Sequence, residues 1–175
     1  MSDTVDYSKV VSRIGEKFGE RVHSPEQPYG MLTLRTDRDT IIPLLQFLRD
    51  DEEMQFIFLT DICGVHYPDR AEKFEVVYHI HSLIHNLRVR LKVGLSGEPK
   101  IPTAVHVFKG ANWMERETYD FYGIVFEGHP NLKRILNVDE MTIFPMRKEY
   151  PLEDNTRSDK NDAMFGRGML PGQNN

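Results

Sequence analysis

Glu115, Arg116, Glu117 and Asp120 crowd into one short stretch, with Trp113 just ahead and Tyr119, Phe121 and Tyr122 around them. On a helix, Arg116 and Asp120 are i,i+4 neighbours and Glu117 and Asp120 are i,i+3 neighbours. Two carboxylates one turn apart could raise each other's pKa and work as acid and base. Arg116 could instead neutralise them on a solvated face. A third reading is a protein contact, because carboxylates and an arginine flanked by Trp and Tyr suit a desolvated hot spot. A surface helix seldom adds so many aromatics to its charges, and that favours the contact over catalysis.

His79, His81 and His85 raise the question of a metal. Alternate residues of a strand share a side, and Glu75 falls on the face of His79 and His81. Arg88, Arg90 and Lys92 cross from the next strand and repel a divalent cation, so a solvated or subunit-facing strand is the simpler account. Cys63 is the single cysteine. It excludes an internal disulfide and a cluster held by four thiolates, and after Phe56-Ile57-Phe58-Leu59 it reads as a small buried residue. Neither a glycine-rich dinucleotide loop nor a phosphate-cradling loop occurs, and no serine stands in a nucleophile elbow. Nothing here outlines a self-contained active site.

The elements that would position these residues emerge from periodicity. Val10, Val11, Ile14 and Phe18 have helical spacing over 8–19, and 30–35 alternates like a strand. Asp39 suits the N-cap of a helix to about Arg49, with Pro43 in its first turn. The apolar run 54–62 predicts a central strand. Phe74, Val76, Tyr78 and Ile80, then Leu87, Val89, Leu91, Val93 and Leu95, alternate as an antiparallel hairpin with one charged face. Residues 103–122 read as helical, closed by Gly123. Pro130, Pro145 and Pro151 punctuate the chain beyond that glycine. The expected fold is α+β: a mixed or antiparallel sheet with helices on one face, then an extended C-terminal arm. Its parts are an α+β domain over 1–100, the charged helix and arm over 101–152, and a polar tail over 153–175.

With 175 residues the chain fits one domain and its tail. A net charge of −5 argues against nucleic acid as a partner. Neither a signal-peptide pattern nor an apolar run of about 18 residues is present, so the expectation is a cytoplasmic chain able to dock on a membrane complex.

The stretch Gly110-Ala111-Asn112-Trp113-Met114-Glu115-Arg116-Glu117-Thr118-Tyr119-Asp120-Phe121-Tyr122-Gly123-Ile124 resembles the hallmark of the C subunit of NADH-quinone oxidoreductase, respiratory complex I. Two further blocks stand in the family's order. One is His129-Pro130-Asn131-Leu132-Lys133-Arg134-Ile135-Leu136. The other, Phe144-Pro145-Met146-Arg147-Lys148-Glu149-Tyr150-Pro151-Leu152, looks like the family's Leu-Arg-Lys-Asp-Phe-Pro ending with conservative replacements. Leu59-Thr60-Asp61-Ile62-Cys63-Gly64-Val65 is also similar, so the resemblance covers most of the chain.

The resemblance implies a hydrophilic peripheral-arm subunit of the 30 kDa type without a redox centre, lying beside the quinone-site subunit and near the cluster-bearing subunits. It implies no cofactor in this chain, since FMN, iron–sulfur clusters and quinone belong to partners, and a place on the cytoplasmic side of the bacterial cell membrane. Ending at 175, the chain reads as the unfused form. Trp113, Glu115, Arg116, Glu117, Asp120, His129, Lys133, Arg134, Arg147 and Lys148 become the expected contact residues, dividing between bracing the chain's own arm and meeting partners. Replacing Glu117 or Asp120 by Ala is then expected to lower assembled NADH:quinone activity and leave the isolated subunit folded. The nearest alternative is the homologous subunit of a membrane-bound hydrogenase or formate hydrogenlyase. The alternative of a different class is a stand-alone metal hydrolase using His79, His81 and Glu75.

Overall fold

The structure, a computed structural model, describes residues 6–150. Its main sheet contains β1 (Val22–Glu26), β2 (Leu32–Thr36), β3 (Phe58–His66), β4 (Phe74–Ser82) and β5 (Leu87–Leu95), in the order β1-β2-β5-β4-β3. Only the β2–β5 pairing is parallel. Register stacks the apolar positions on one face: Tyr78 lies opposite Ile62 on β3 and Leu91 on β5, and Leu91 opposite Leu34 on β2. Helix α1 (Ser8–Phe18) buries Val10, Ile14 and Phe18, and α2 (Ile41–Asp50) buries Ile41, Leu44, Leu45 and Leu48. These side chains join the sheet residues in one core, so the helices share a face as the alternation predicts. The other face carries Arg35, Glu75, His79, Arg90 and Lys92.

A smaller parallel pair, β6 (Lys100–Pro102) with β7 (Val125–Glu127), brackets helix α3 (Ala111–Tyr122). Gly64 lets α3 close on β3, since a Cβ there would come within 2.8 Å of Tyr122 and 3.1 Å of Thr118. The Thr118 hydroxyl donates to the Ile62 carbonyl at 3.3 Å.

Several expectations need correction. The strand expected over 54–62 begins only at Phe58 and lies at the sheet edge, not its centre. The run is apolar because Met54 and Phe56, in the turn after α2, plug the core at 1% and 0% exposure. Asp39 does not cap α2: the N-cap position is Thr40, without a side-chain cap, and Asp37 closes the preceding turn by accepting the N–H groups of Asp39 and Thr40 at 2.9 and 2.7 Å. Helix α3 starts at Ala111; Thr103, Ala104, Val107 and Phe108 are buried in turns before it. Strand β1 was not legible, being mostly exposed and interrupted by a register shift between His23 and Glu26. The tail expected over 153–175 lies outside the described residues.

Candidate functional site

Helix α3 distributes its motif residues in three directions. Ala111, Glu115 and Thr118 turn into the fold, Trp113 and Glu117 face outward, and Arg116 and Asp120 address the arm beyond β7. Glu115 is fully buried; it accepts the Thr103 hydroxyl at 2.5 Å and the Ala104 N–H at 2.6 Å. Burial outweighs those two hydrogen bonds and pushes its carboxyl up to about 7. Glu115 therefore pins the turn that launches α3.

Asp120 is also fully out of water. It accepts the N–H groups of Ile135, Leu136 and Asn137 at 3.0, 2.8 and 2.9 Å, and Arg134 Nη1 at 2.7 Å. Burial alone would raise its pKa, but these donors prevail and hold it well below the ordinary carboxylate range. Arg134 also reaches the carbonyls of Met141 and Ile143 at 2.7 and 3.0 Å, with its guanidinium 5.0 Å from the Phe144 ring. Arg116 donates to the carbonyls of Lys133 and Arg134 at 3.0 and 2.9 Å and lies 5.0 Å from the Trp113 ring.

The arm is fastened further along. Arg147 donates to the Tyr122 carbonyl at 2.8 Å and lies 5.0 Å from the Phe74 ring and 4.7 Å from that of Phe144. Gly123, the left-handed C-cap of α3 at φ 71°, makes this possible, because a Cβ there would meet Phe144 at 2.5 Å and Arg147 at 2.6 Å. His129 takes the Asn131 N–H on Nδ1 at 3.0 Å, so Nε2 carries the proton toward the Asn112 carbonyl at 3.1 Å. The Lys148 N–H donates to His66 Nδ1 at 3.0 Å, returning the arm to the end of β3.

The acid–base reading of Glu117 and Asp120 finds no support in this geometry, since arm donors occupy both Asp120 oxygens while Glu117 projects outward. Of the expected contact residues, Glu115, Asp120 and Arg134 are enclosed within the chain, and Arg116, His129 and Arg147 hold its backbone. Trp113, Glu117, Lys133 and Lys148 remain exposed. Sequence reasoning missed Leu136, Val138 and Ile143, large apolar side chains that stand 65%, 63% and 38% exposed on the same arm. Their only signal was large apolar side chains in a segment without periodicity.

On the sheet, Glu75 binds Arg35 at 2.8 Å and Lys92 at 3.2 Å, and His79 Nε2 accepts Arg90 Nε at 2.9 Å. Among the described residues no three His, Cys, Asp or Glu side chains are grouped to hold a metal ion. Cys63 is half-buried rather than buried; desolvation, reinforced by Asp61, pushes its thiol up to about 11. It is a thiol, not a nucleophilic thiolate, at neutral pH.

A module whose motif charges Glu115, Arg116, Asp120 and Arg134 bind within the chain, while Trp113, Leu136 and Val138 stand exposed, has the surface of a component of a larger assembly. Residues 34–156 match the family described as the 30 kDa subunit of respiratory-chain NADH dehydrogenase, and the chain belongs to that family. The NADH-quinone oxidoreductase C subunit of Mesorhizobium japonicum is 43% identical over 145 residues, covering 83% of this chain and 72% of that protein. Its counterpart in Sinorhizobium medicae is 45% identical over the same shares, and that of Hyphomonas neptunium 43% identical over 86% of this chain and 74% of its own. The solved trypsin-resistant fragment (1-134) of Nqo5 is 33% identical with a TM-score of 0.58, covering 71% of this chain and 98% of that fragment. The chain is thus a subunit of an enzyme complex, with other complex I subunits as its partners. No helix among the described residues is long and apolar enough to cross a membrane.

Proposed function

We propose that this chain is a non-redox structural subunit in the peripheral arm of a proton-translocating NADH:quinone oxidoreductase, seated beside the quinone-site subunit on the cytoplasmic side of the membrane. The complex carries electrons from NADH through FMN and iron–sulfur clusters to quinone, all held by partner subunits. The observation that carries this reading is the arm itself. Asp120 and Arg134 organise it from within, and it leaves Leu136 and Val138 exposed toward a neighbour, as α3 does Trp113. The lone, protonated Cys63 offers no ligand set for a cluster. The hydrogenase alternative has no comparable support, since the three bacterial relatives are NADH-quinone oxidoreductase subunits.

The test is Trp113→Ala combined with Leu136→Ser in the complex purified from membranes. The expected result is less assembled complex, with NADH:quinone turnover per assembled complex unchanged. Intact assembly with reduced turnover would move the chain from scaffold to catalyst.

A further inference from the structure

A cleft of about 290 Å³ opens where β3, α3 and the arm meet. Ile62, Phe121, Tyr122 and Met146 wall it, and Asp61 and Glu117 stand at its sides. Both carboxylates are exposed, at the edge strand and on the outward face of α3. Among the described residues no Lys or Arg forms an ion pair with either; the nearest basic group is His79 Nδ1, 3.8 Å from Asp61. His79 gives Asp61 little compensation, because burial and then Arg90 lower its pKa and it already accepts a hydrogen bond from that arginine. Elsewhere in α3 the charged groups have partners, Glu115 on Thr103, Arg116 on the arm and Asp120 on Arg134.

We infer that this cleft receives an arginine side chain of a neighbouring complex I subunit, its guanidinium between Asp61 and Glu117 and its stem against Phe121, Tyr122 and Met146. Two carboxylates supply the opposite charge, and aromatic walls accept a planar cation by stacking. Apolar walls match the methylene stem, a combination that a purely solvated acidic face would lack. The inference rests on the chain's place among complex I subunits, and it adds what the partner presents at this spot.

The experiment uses the whole complex. Chains carrying D61N/E117Q and D61K/E117K are compared with wild type for incorporation, with a photoactivatable residue at Met146 to report what lies in the cleft. Expected are roughly tenfold lower retention on salt washing for the neutral pair and loss of incorporation for the reversed pair. Expected too is a photo-adduct on an arginine-containing peptide of another subunit. The isolated variants should keep the wild-type melting temperature, since neither carboxylate supports the fold. Wild-type incorporation of D61K/E117K would overturn the inference, as would an adduct within this chain or on a partner peptide lacking arginine. If Trp113→Ala disrupts assembly and D61K/E117K does not, the structural reading stands and the cleft assignment falls. A wild-type chain that fails to co-purify at all would instead sink the structural reading.

Discussion

Arg134 binds Asp120 through Nη1 at 2.7 Å with both side chains nearly out of water, 8% and 0% exposed. A buried ion pair is worth little against an apolar replacement, yet breaking it from one side is costly. Asp120→Ala should therefore destabilise the isolated chain by about 3–5 kcal/mol. Limited proteolysis should then cut first within 131–144, whose backbone N–H groups and Arg134 lose their acceptor. This separates Asp120 from Glu117: replacing exposed Glu117 by Ala should leave denaturant midpoints unchanged, whereas Asp120→Ala should not. Equal midpoints for the two variants would remove Asp120 from its bracing role.

Glu115 sets a pH dependence of its own. Its folded pKa of about 7 lies above the ordinary glutamate value of 4.5, so the folded state holds the proton more tightly. Its contribution to stability is therefore full below about 4.5 and disappears as pH rises through about 7. His66 and His79, whose pKa values are lowered, work in the opposite direction, favouring the folded state as pH rises. The difference between wild type and Glu115→Gln isolates the carboxyl. From pH 5 to pH 8 wild type should lose on the order of 1–3 kcal/mol relative to the variant. A difference flat across that range would place the Glu115 pKa at its ordinary value.

Tyr78 is fully buried, and among the described residues its hydroxyl has no hydrogen-bond partner. Removing an unsatisfied buried hydroxyl while keeping the ring should be neutral or stabilising by up to about 1 kcal/mol. Thermal unfolding of Tyr78→Phe measures this directly, and a clear loss of stability would reveal a partner for that oxygen.

The turn that leads into α2 gives a contrasting pair. Asp37→Ala removes the acceptor for two backbone N–H groups and should cost about 1 kcal/mol, whereas Asp39→Ala should change stability by less than about 0.5 kcal/mol. Urea denaturation of the two variants side by side decides between them.

The hairpin of β4 and β5 was legible because strict alternation encodes a sheet with one apolar and one charged face, and Gly123 was legible as the end of α3. Helix α1 showed itself through Val10, Ile14 and Phe18. The position of β3 was not readable, since Met54 and Phe56 are apolar for reasons of loop burial that periodicity does not distinguish from a central strand. The start of α2 was misplaced because Asp37 and Asp39 both precede the helix, and only geometry tells that Asp37 binds the turn before it and that neither carboxylate caps it. In the charged motif, residue types pointed to a desolvated cluster, and Glu115 and Asp120 are desolvated. Their partners could not be foreseen: a carboxylate satisfied by backbone N–H groups from 135–137 leaves no side-chain signature at those positions.

The return of the arm to the sheet through Lys148 and His66 has a thermodynamic consequence. A free segment that orders only on docking loses roughly 1–2 kcal/mol of backbone entropy per residue at that moment. Here Asp120, Arg134 and Arg147 fix the path from 133 to 147 within the chain, and the bond to His66 closes it as a loop anchored at both ends. A neighbour meeting this surface encounters a shape already preorganised, so more of the contact free energy is retained as affinity.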